Sequence, residues 1–248
     1  MRRDPENLTY DHTIDTLCSE GGYRFQREKY APKLEFLKSR FGERFPEIAL
    51  LDVGVGYGIF LKIASEDYGL RNIRGMDPYP QSIEIAKTMT EAPIDRGSIF
   101  DERWPFAEGC FDVITCFDVL EHIERPAAFL EKAKSYLRPE GLVVFTTPNK
   151  GLPYRMRSIP LIGFPDTNPT HINVHPPAYW KRLVADTGYD IVAFWKGEHL
   201  AHVRCMPKVI RALCAALRLD HRKIPLVNAF EQSIVIVAHP AHRRRRER

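Results

Sequence analysis

Apolar residues return along this chain in two rhythms. Short runs of strand length, Ile48 to Val53, Ile73 to Asp77, Asp95 to Ile99, Val113 to Phe117 and Leu142 to Thr146, alternate with segments whose apolar positions recur every three or four residues. The helical segments are EKYAPKLEFLKSRF ahead of the first run, IFLKIASEDYG after it, QSIEIAKTMT after the second, and RPAAFLEKAKSYLRPEG before the fifth, ending in a glycine stop. Near-continuous apolar strands separated by amphipathic helices belong to a parallel sheet covered on both faces, so the pattern predicts a doubly wound α/β fold.

Beyond Asn149 the rhythm breaks. Residues 149–175 hold Gly151, Pro153, Pro160, Gly163, Pro165 and Pro169, and a loop of that length within a compact domain is usually functional. PPAYWKRLVADTG then predicts a helix with prolines in its first turn, where N–H groups lack partners anyway. Two more β-rich runs, Asp190 to Trp195 and Ser233 to Ala238, bracket an insertion over residues 197–231. Its centre, PKVIRALCAALRLD, sets Val209, Ile210, Leu213 and Leu217 on one helical face and Lys208, Arg211, Arg218 and Arg222 on the other. Such a helix packs its apolar face on the body, closes over a substrate, or lies on anionic lipid. The expected organisation is one domain over 1–240: a helical lead-in (1–47), a ligand-binding core (48–148), the long loop and the insertion. A disordered Arg-rich tail (241–248) follows.

Composition narrows the partners. The chain has 248 residues, 44% hydrophobic and 27% charged, which is ordinary for a globular domain. Its formal net charge of +4 comes from the last six residues, RRRRER. Taking their five bases from 36 and their one acid from 32 leaves 31 of each, so the body is neutral. A neutral body argues against a broad nucleic-acid footprint, which needs basic charge on the folded surface. Five cysteines without a C-x-x-C pair fit reduced thiols and a cytoplasmic setting. The start, MRRDPENLTYDH, lacks the apolar core of a signal peptide, and no run reaches the roughly 20 apolar residues of a membrane span.

The chemistry centres on LLDVGVGYGIF, in which the strand closes on Asp52 and Val53 and then meets Gly54, Gly56 and Gly58. Such a turn leads tightly into a helix and lets a ligand approach backbone that carries no Cβ, although the same glycines also suit a bare turn. The dinucleotide fingerprint G-x-G-x-x-G, counted from Gly54, requires glycine where Ile59 stands, which disfavours a nucleotide-dependent oxidoreductase. Asp52 is a poor neighbour for pyrophosphate and a good one for an ammonium group. Asp77 closes the next strand, where a carboxylate can accept hydrogen bonds from both hydroxyls of a ribose. A ligand with an amine at one end and a nucleoside at the other, such as S-adenosylmethionine, satisfies both acids.

With WPFAEGCFDVITCFDVLEHIERP and LRPEGLVVFTTPN added to the glycine turn, the sequence resembles the class I S-adenosylmethionine-dependent methyltransferases from about Leu50 to Asn149. The resemblance implies a Rossmann-like, seven-stranded, mostly parallel sheet with helices on both faces, ending in an antiparallel strand at Ser233 to Ala238. It also implies positions for the cofactor, S-adenosyl-L-methionine. Asp52, Gly54, Val55, Gly56 and Gly58 would line the methionine end, Asp77 and Pro78 the ribose, Ser98 and Ile99 the adenine, and Phe117 and Asp118 the sulfonium.

Methyl transfer is an in-line displacement in which a side chain often removes the acceptor's proton. Asp118, Glu121 and His122, at i, i+3 and i+4, would share a face if a helical turn follows the fourth strand. The trio resembles the acid-x-x-Glu-His magnesium site of ubiquinone-pathway O-methyltransferases, with Asp in place of the first Glu, so Mg2+ is one expectation. The other is that Glu121 and His122 cap the turn and no metal is held. His171, in THINVHPPAYW, is the second catalytic candidate, as general base or as a structural hydrogen-bonding residue, and His175 is expected to cap the following helix. Tyr154, Arg155 and Arg157 could contact the acceptor. The function expected is methyl transfer to a small molecule at a hydroxyl oxygen. N- or C-methylation, a glycan or lipid-linked acceptor, and a catalytically silent cofactor-binding regulator remain alternatives.

Overall fold

A computed structural model of the chain describes residues 19–150, 169–196 and 233–241. Seven strands form one sheet: β1 (Leu50–Val53), β2 (Ile73–Asp77), β3 (Ile94–Arg96), β4 (Phe111–Phe117), β5 (Leu137–Pro148), β6 (Tyr189–Lys196) and β7 (Ser233–Pro240). Their order is β3-β2-β1-β4-β5-β7-β6. The first five pair in parallel, and β7 enters antiparallel between β5 and β6. The expected doubly wound sheet with an antiparallel last strand is therefore present.

The reason for burial on two faces is visible in the strand alternation. Leu51 and Val53 of β1, Val143 and Phe145 of β5, and Ile234, Ile236 and Ala238 of β7 point into one apolar cluster. Leu50, Leu142, Val144, Val235 and Val237 point into the other. Helices α4 (Pro126–Tyr136) and α5 (Pro177–Asp186) cover the first cluster through Phe129, Leu130, Trp180 and Val184. Helices α1 (Glu20–Phe41), α2 (Ile59–Glu66) and α3 (Pro80–Met89) cover the second through Leu34, Leu37, Phe60, Ile63 and Ala86. Fully burying each of the leucine, isoleucine, valine and phenylalanine side chains contributes about 1.5–3 kcal/mol, which makes this two-sided core the main source of stability.

Of the boundaries that differ from the sequence reading, three have a visible cause or consequence. The lead-in helix starts earlier, at Glu20, because Ser19 caps it by accepting a hydrogen bond from the Gly22 amide at 3.1 Å. The third strand is shorter and shifted, Ile94–Arg96 instead of Asp95 to Ile99. The glycine stop is not one: α4 ends at Tyr136, and Leu137 already pairs with Phe111 before the register shifts to Val113 opposite Leu142. Gly141 serves that irregularity, since a Cβ there would come within 2.9 Å of Leu137 and about as close to two carbonyl oxygens.

Residues 1–18, 151–168, 197–232 and 242–248 lie outside the described residues. With them lie Tyr154, Arg155, Arg157, the amphipathic segment from Lys208 to Arg222, most of the long loop and the Arg-rich tail. No helix of the described residues is long and apolar enough to cross a membrane. Cys116 is buried and Cys110 half-buried, both as free thiols.

Candidate active site

Chain order reverses between β1 and β4, which makes the carboxyl ends of these neighbouring strands the place where doubly wound sheets open a crevice for ligand. The glycine turn leaves β1 there. Gly54, Gly56 and Gly58 all have positive φ, at 77°, 52° and 77°, a conformation that costs an L side chain about 1–2 kcal/mol. Beyond that shared demand their environments differ. A Cβ on Gly54 would strike Val119 at 2.4 Å and one on Gly58 would press on Ala86 at 3.1 Å, whereas one on Gly56 would meet nothing within 4 Å. Gly54 and Gly58 thus also serve internal packing, whereas Gly56 faces open space.

Two acids accompany that turn, Asp52 just before it in β1 and Asp77 at the end of β2. Asp77, 5% exposed, receives the amide of Gly56 on Oδ2 at 3.1 Å and the amide of Tyr79 on Oδ1 at 3.0 Å. Burial pushes its pKa up, and the two backbone donors oppose that shift. Asp52, 3% exposed, accepts from the Thr115 hydroxyl at 2.6 Å. Burial drives its pKa to about 7 against the Thr115 hydrogen bond, with the nearby charge of Asp77 adding to the rise. A buried carboxyl beside a turn that opens to solvent would be stabilised in its ionised form by a neighbouring cation. Both features fit a ligand with an ammonium and a ribose.

Around them, the other expected cofactor contacts occupy different surroundings. Val55 is buried against the core and Pro78 is exposed. Ser98 is half-buried; its amide donates to Asp101 at 2.7 Å, and its carbonyl accepts from the Trp104 indole at 3.0 Å. Ile99 is 7% exposed and packs inside the core. Tyr79 and Phe100, which the sequence reading passed over, stand 66% and 58% exposed beside Asp77 and Ser98. An aromatic residue two positions beyond each expected contact was the available signal. Phe117 packs within an aromatic cluster, its ring centroid 4.8 Å from Phe60 and 5.5 Å from Tyr30.

Asp118 departs most from expectation. It has φ 54°, the one positive value on a non-glycine among the described residues. Its Oδ1 accepts from the Thr146 hydroxyl at 2.8 Å, and its Oδ2 is held by the Lys29 ammonium from α1. Burial alone would raise its pKa, but Lys29, with Thr146 and Lys33, brings it down to about 2. Asp118 therefore does not join Glu121 and His122 on one helical face. The left-handed turn at Asp118 redirects the chain, and the short 3-10 helix begins only at Leu120. A magnesium site built from Asp118, Glu121 and His122 does not fit this geometry.

Instead, Glu121 and His122 meet His171. One ligand atom from each of the three lies within 4.8 Å of the other two, and the imidazoles of His122 and His171 contact edge to face with centroids 4.7 Å apart. The segment carrying His171 is tied down by the Asn173 amide, which donates to the Glu121 carbonyl at 2.9 Å, and by the Asn173 side chain, which donates to the Ile123 carbonyl. Nδ1 of His122 lies 2.9 Å from the Thr170 hydroxyl. The two histidines expected to be catalytic thus share one cluster, at the exit of β4. His175 does not cap α5: its ring stacks on Tyr179 at 3.8 Å and its Nε2 lies 3.1 Å from Asn173.

A seven-stranded sheet with β7 inserted antiparallel, a glycine turn after β1 and an acid closing β2 define the Rossmann-like methyltransferase class of fold. The chain belongs to the methyltransferase domain family, whose model matches residues 23–193. It is 32% identical over 154 residues to the mitochondrial ubiquinone biosynthesis O-methyltransferase of Schizosaccharomyces pombe, covering 57% of this chain and 54% of the relative. To the ubiquinone biosynthesis O-methyltransferase of Colwellia psychrerythraea it is 30% identical over 133 residues, covering 52% of each. The chain spans about half the length of these curated relatives. A crystal structure of geranyl diphosphate C-methyltransferase from Streptomyces coelicolor, in complex with Mg2+, geranyl diphosphate and S-adenosyl-L-homocysteine, shares the fold. Its TM-score is 0.58 at 16% identity, over 85% of this chain and 77% of that one.

Proposed function

We propose that this chain is an S-adenosylmethionine-dependent methyltransferase that transfers a methyl group to a hydroxyl oxygen of a small-molecule acceptor. The observation that carries the reading is the unit formed by Gly56 and Asp77 beside the buried Asp52. An open left-handed glycine and two strand-end carboxylates suit a ligand with a ribose and an ammonium. Membership of the methyltransferase family and the similarity to ubiquinone-pathway O-methyltransferases support methyl transfer to oxygen.

Bound here, S-adenosylmethionine supplies a methyl group on a positively charged sulfur. The chain's residues then have two tasks. Asp52 takes the ammonium and Asp77 the ribose hydroxyls, while Tyr79 and Phe100 flank the adenine side; this fixes where the methyl group points. His122 and His171 stand beyond β4, where an acceptor hydroxyl would be held. There the histidine pair would take the proton from the acceptor hydroxyl as its oxygen receives the methyl group that the bound cofactor would supply. A cytoplasmic location and a small-molecule acceptor accompany the reading.

Calorimetry with S-adenosylhomocysteine tests the first task, and a screen of hydroxylated acceptors for methyl transfer tests the second. Binding without any turnover supports the silent regulator; no binding removes the methyltransferase reading altogether. His171→Ala should lower kcat by about 100-fold or more with affinity for S-adenosylhomocysteine intact. A variant at full rate takes His171 out of the reaction.

A further inference from the structure

We propose that Glu121, His122 and His171 form a binding site for a divalent transition-metal ion of borderline softness, with Zn2+ or Co2+ preferred over Mg2+. The site lies on the acceptor side of the crevice. Two donors each about 2.0–2.2 Å from a shared ion can be no more than about 4.4 Å apart. Around a tetrahedral ion donors stand about 3.3–3.6 Å apart, and the three ligand atoms lie within 4.8 Å of one another, so side-chain movements of up to about 1.5 Å bring them into coordination range.

The surroundings are those of a metal site. Thr170 contacts Nδ1 of His122 at 2.9 Å, the kind of outer contact that sets the orientation of a ligating imidazole. Hydrogen bonds from Asn173 to the Glu121 and Ile123 carbonyls lock the His171 segment against the 3-10 helix. Glu121 is buried at 1% exposure, His171 is half-buried and His122 is exposed.

The choice of ion follows from the donors. Mg2+ demands near-octahedral oxygen coordination and binds poorly to imidazole, while two imidazoles and one carboxylate suit Zn2+, Co2+ and their neighbours. Had Asp118 been a ligand, two carboxylates would have favoured a harder ion, but its carboxylate is engaged by Lys29 and Thr146. Three protein donors also leave coordination positions open. An acceptor oxygen held there would ionise more readily, its proton passing to water, and the imidazoles would then act as ligands and not as bases. That catalytic meaning rests on the methyl-transfer reading, whereas metal binding itself does not.

The test titrates the metal-stripped full chain with Co2+ and follows its visible absorption, with S-adenosylhomocysteine calorimetry on every sample as a separate report on the fold and the cofactor crevice. Expected are saturation at one ion per chain, displacement by equimolar Zn2+, and no displacement by Mg2+ in about 100-fold excess. His171→Ala and Glu121→Gln should each weaken Co2+ binding by at least about tenfold, while Asp118→Asn keeps it. Should His171→Ala fail to fold, His171→Asn takes its place. Absence of a saturable signal, displacement by Mg2+ at equal concentration, or undiminished binding in the folded His171 variant overturns the site. Co2+ binding by a chain that ignores S-adenosylhomocysteine would leave the metal site standing and remove the methyltransferase reading.

Discussion

Gly56 donates its backbone N–H to Oδ2 of Asp77 across 3.1 Å, so the middle glycine of the turn and the acid at the end of the neighbouring strand act as one unit. The other carboxylate oxygen takes the amide of Tyr79 at 3.0 Å, which fixes the orientation of the carboxylate. Asp77→Ala should weaken S-adenosylhomocysteine binding by about 1–3 kcal/mol, since the ribose would lose a charged acceptor and the turn its anchor. Calorimetry checks this, and unchanged affinity takes Asp77 out of the site.

The glycines should separate by phenotype. Gly54→Ala forces a Cβ to within 2.4 Å of Val119 on top of its positive φ, whereas Gly56→Ala meets only the backbone strain of about 1–2 kcal/mol. Chemical denaturation should therefore rank Gly54→Ala as the less stable variant. Gly56→Ala should keep most of its stability while losing more S-adenosylhomocysteine affinity than its stability loss explains. The opposite ranking would mean that ligand does not approach at Gly56.

Asp52 should leave a signature in pH. Its folded pKa of about 7 lies above the unfolded value near 3.9, so the native state keeps a proton that the unfolded chain releases. The associated stability is complete below about pH 4 and is lost as pH rises through about 7. Asp52→Asn should abolish this slope. A ligand ammonium favours the ionised carboxylate, so binding of S-adenosylhomocysteine below about pH 7 should release a proton from Asp52. Calorimetry in two buffers of different ionisation enthalpy measures that release; a proton count unaffected by Asp52→Asn moves the ammonium elsewhere.

The Lys29–Asp118 pair has the opposite sign. With the Asp118 carboxyl held down at about 2, the pair contributes stability above about pH 4 that disappears as pH falls through about 2. The Asp118 side chain is 36% exposed, so the contribution should be no more than about 1 kcal/mol. Denaturation of Lys29→Met beside the parent chain should show a gap near neutrality that closes in acid. A gap independent of pH would mean that Lys29 acts through packing.

Much of the fold was legible because its signals are local. The alternation that sends Leu51 to one cluster and Leu50 to the other is written in neighbouring residues. The glycine turn and the acids at 52 and 77 follow from strand ends, which apolar runs mark directly. The misread pieces each involve a backbone choice made under tertiary pressure. Asp118 looked like the start of a helical face, yet its left-handed φ sends Glu121 and His122 away from it. Gly141 looked like a helix stop but lies inside a strand, at a close backbone approach.

By itself, then, the amino-acid sequence determined the alternation of strands and helices and the acids at the strand ends, since spacing along the chain is all these require, while the antiparallel finish was an implication of the family resemblance. Tertiary structure decided which groups meet. Lys29 reaches Asp118 from 89 residues away, and His171 arrives beside Glu121 and His122 because the Asn173 hydrogen bonds bring its segment over the exit of β4. Contacts between distant residues depend on packing and chain direction at a few turns, and no short-range periodicity encodes them.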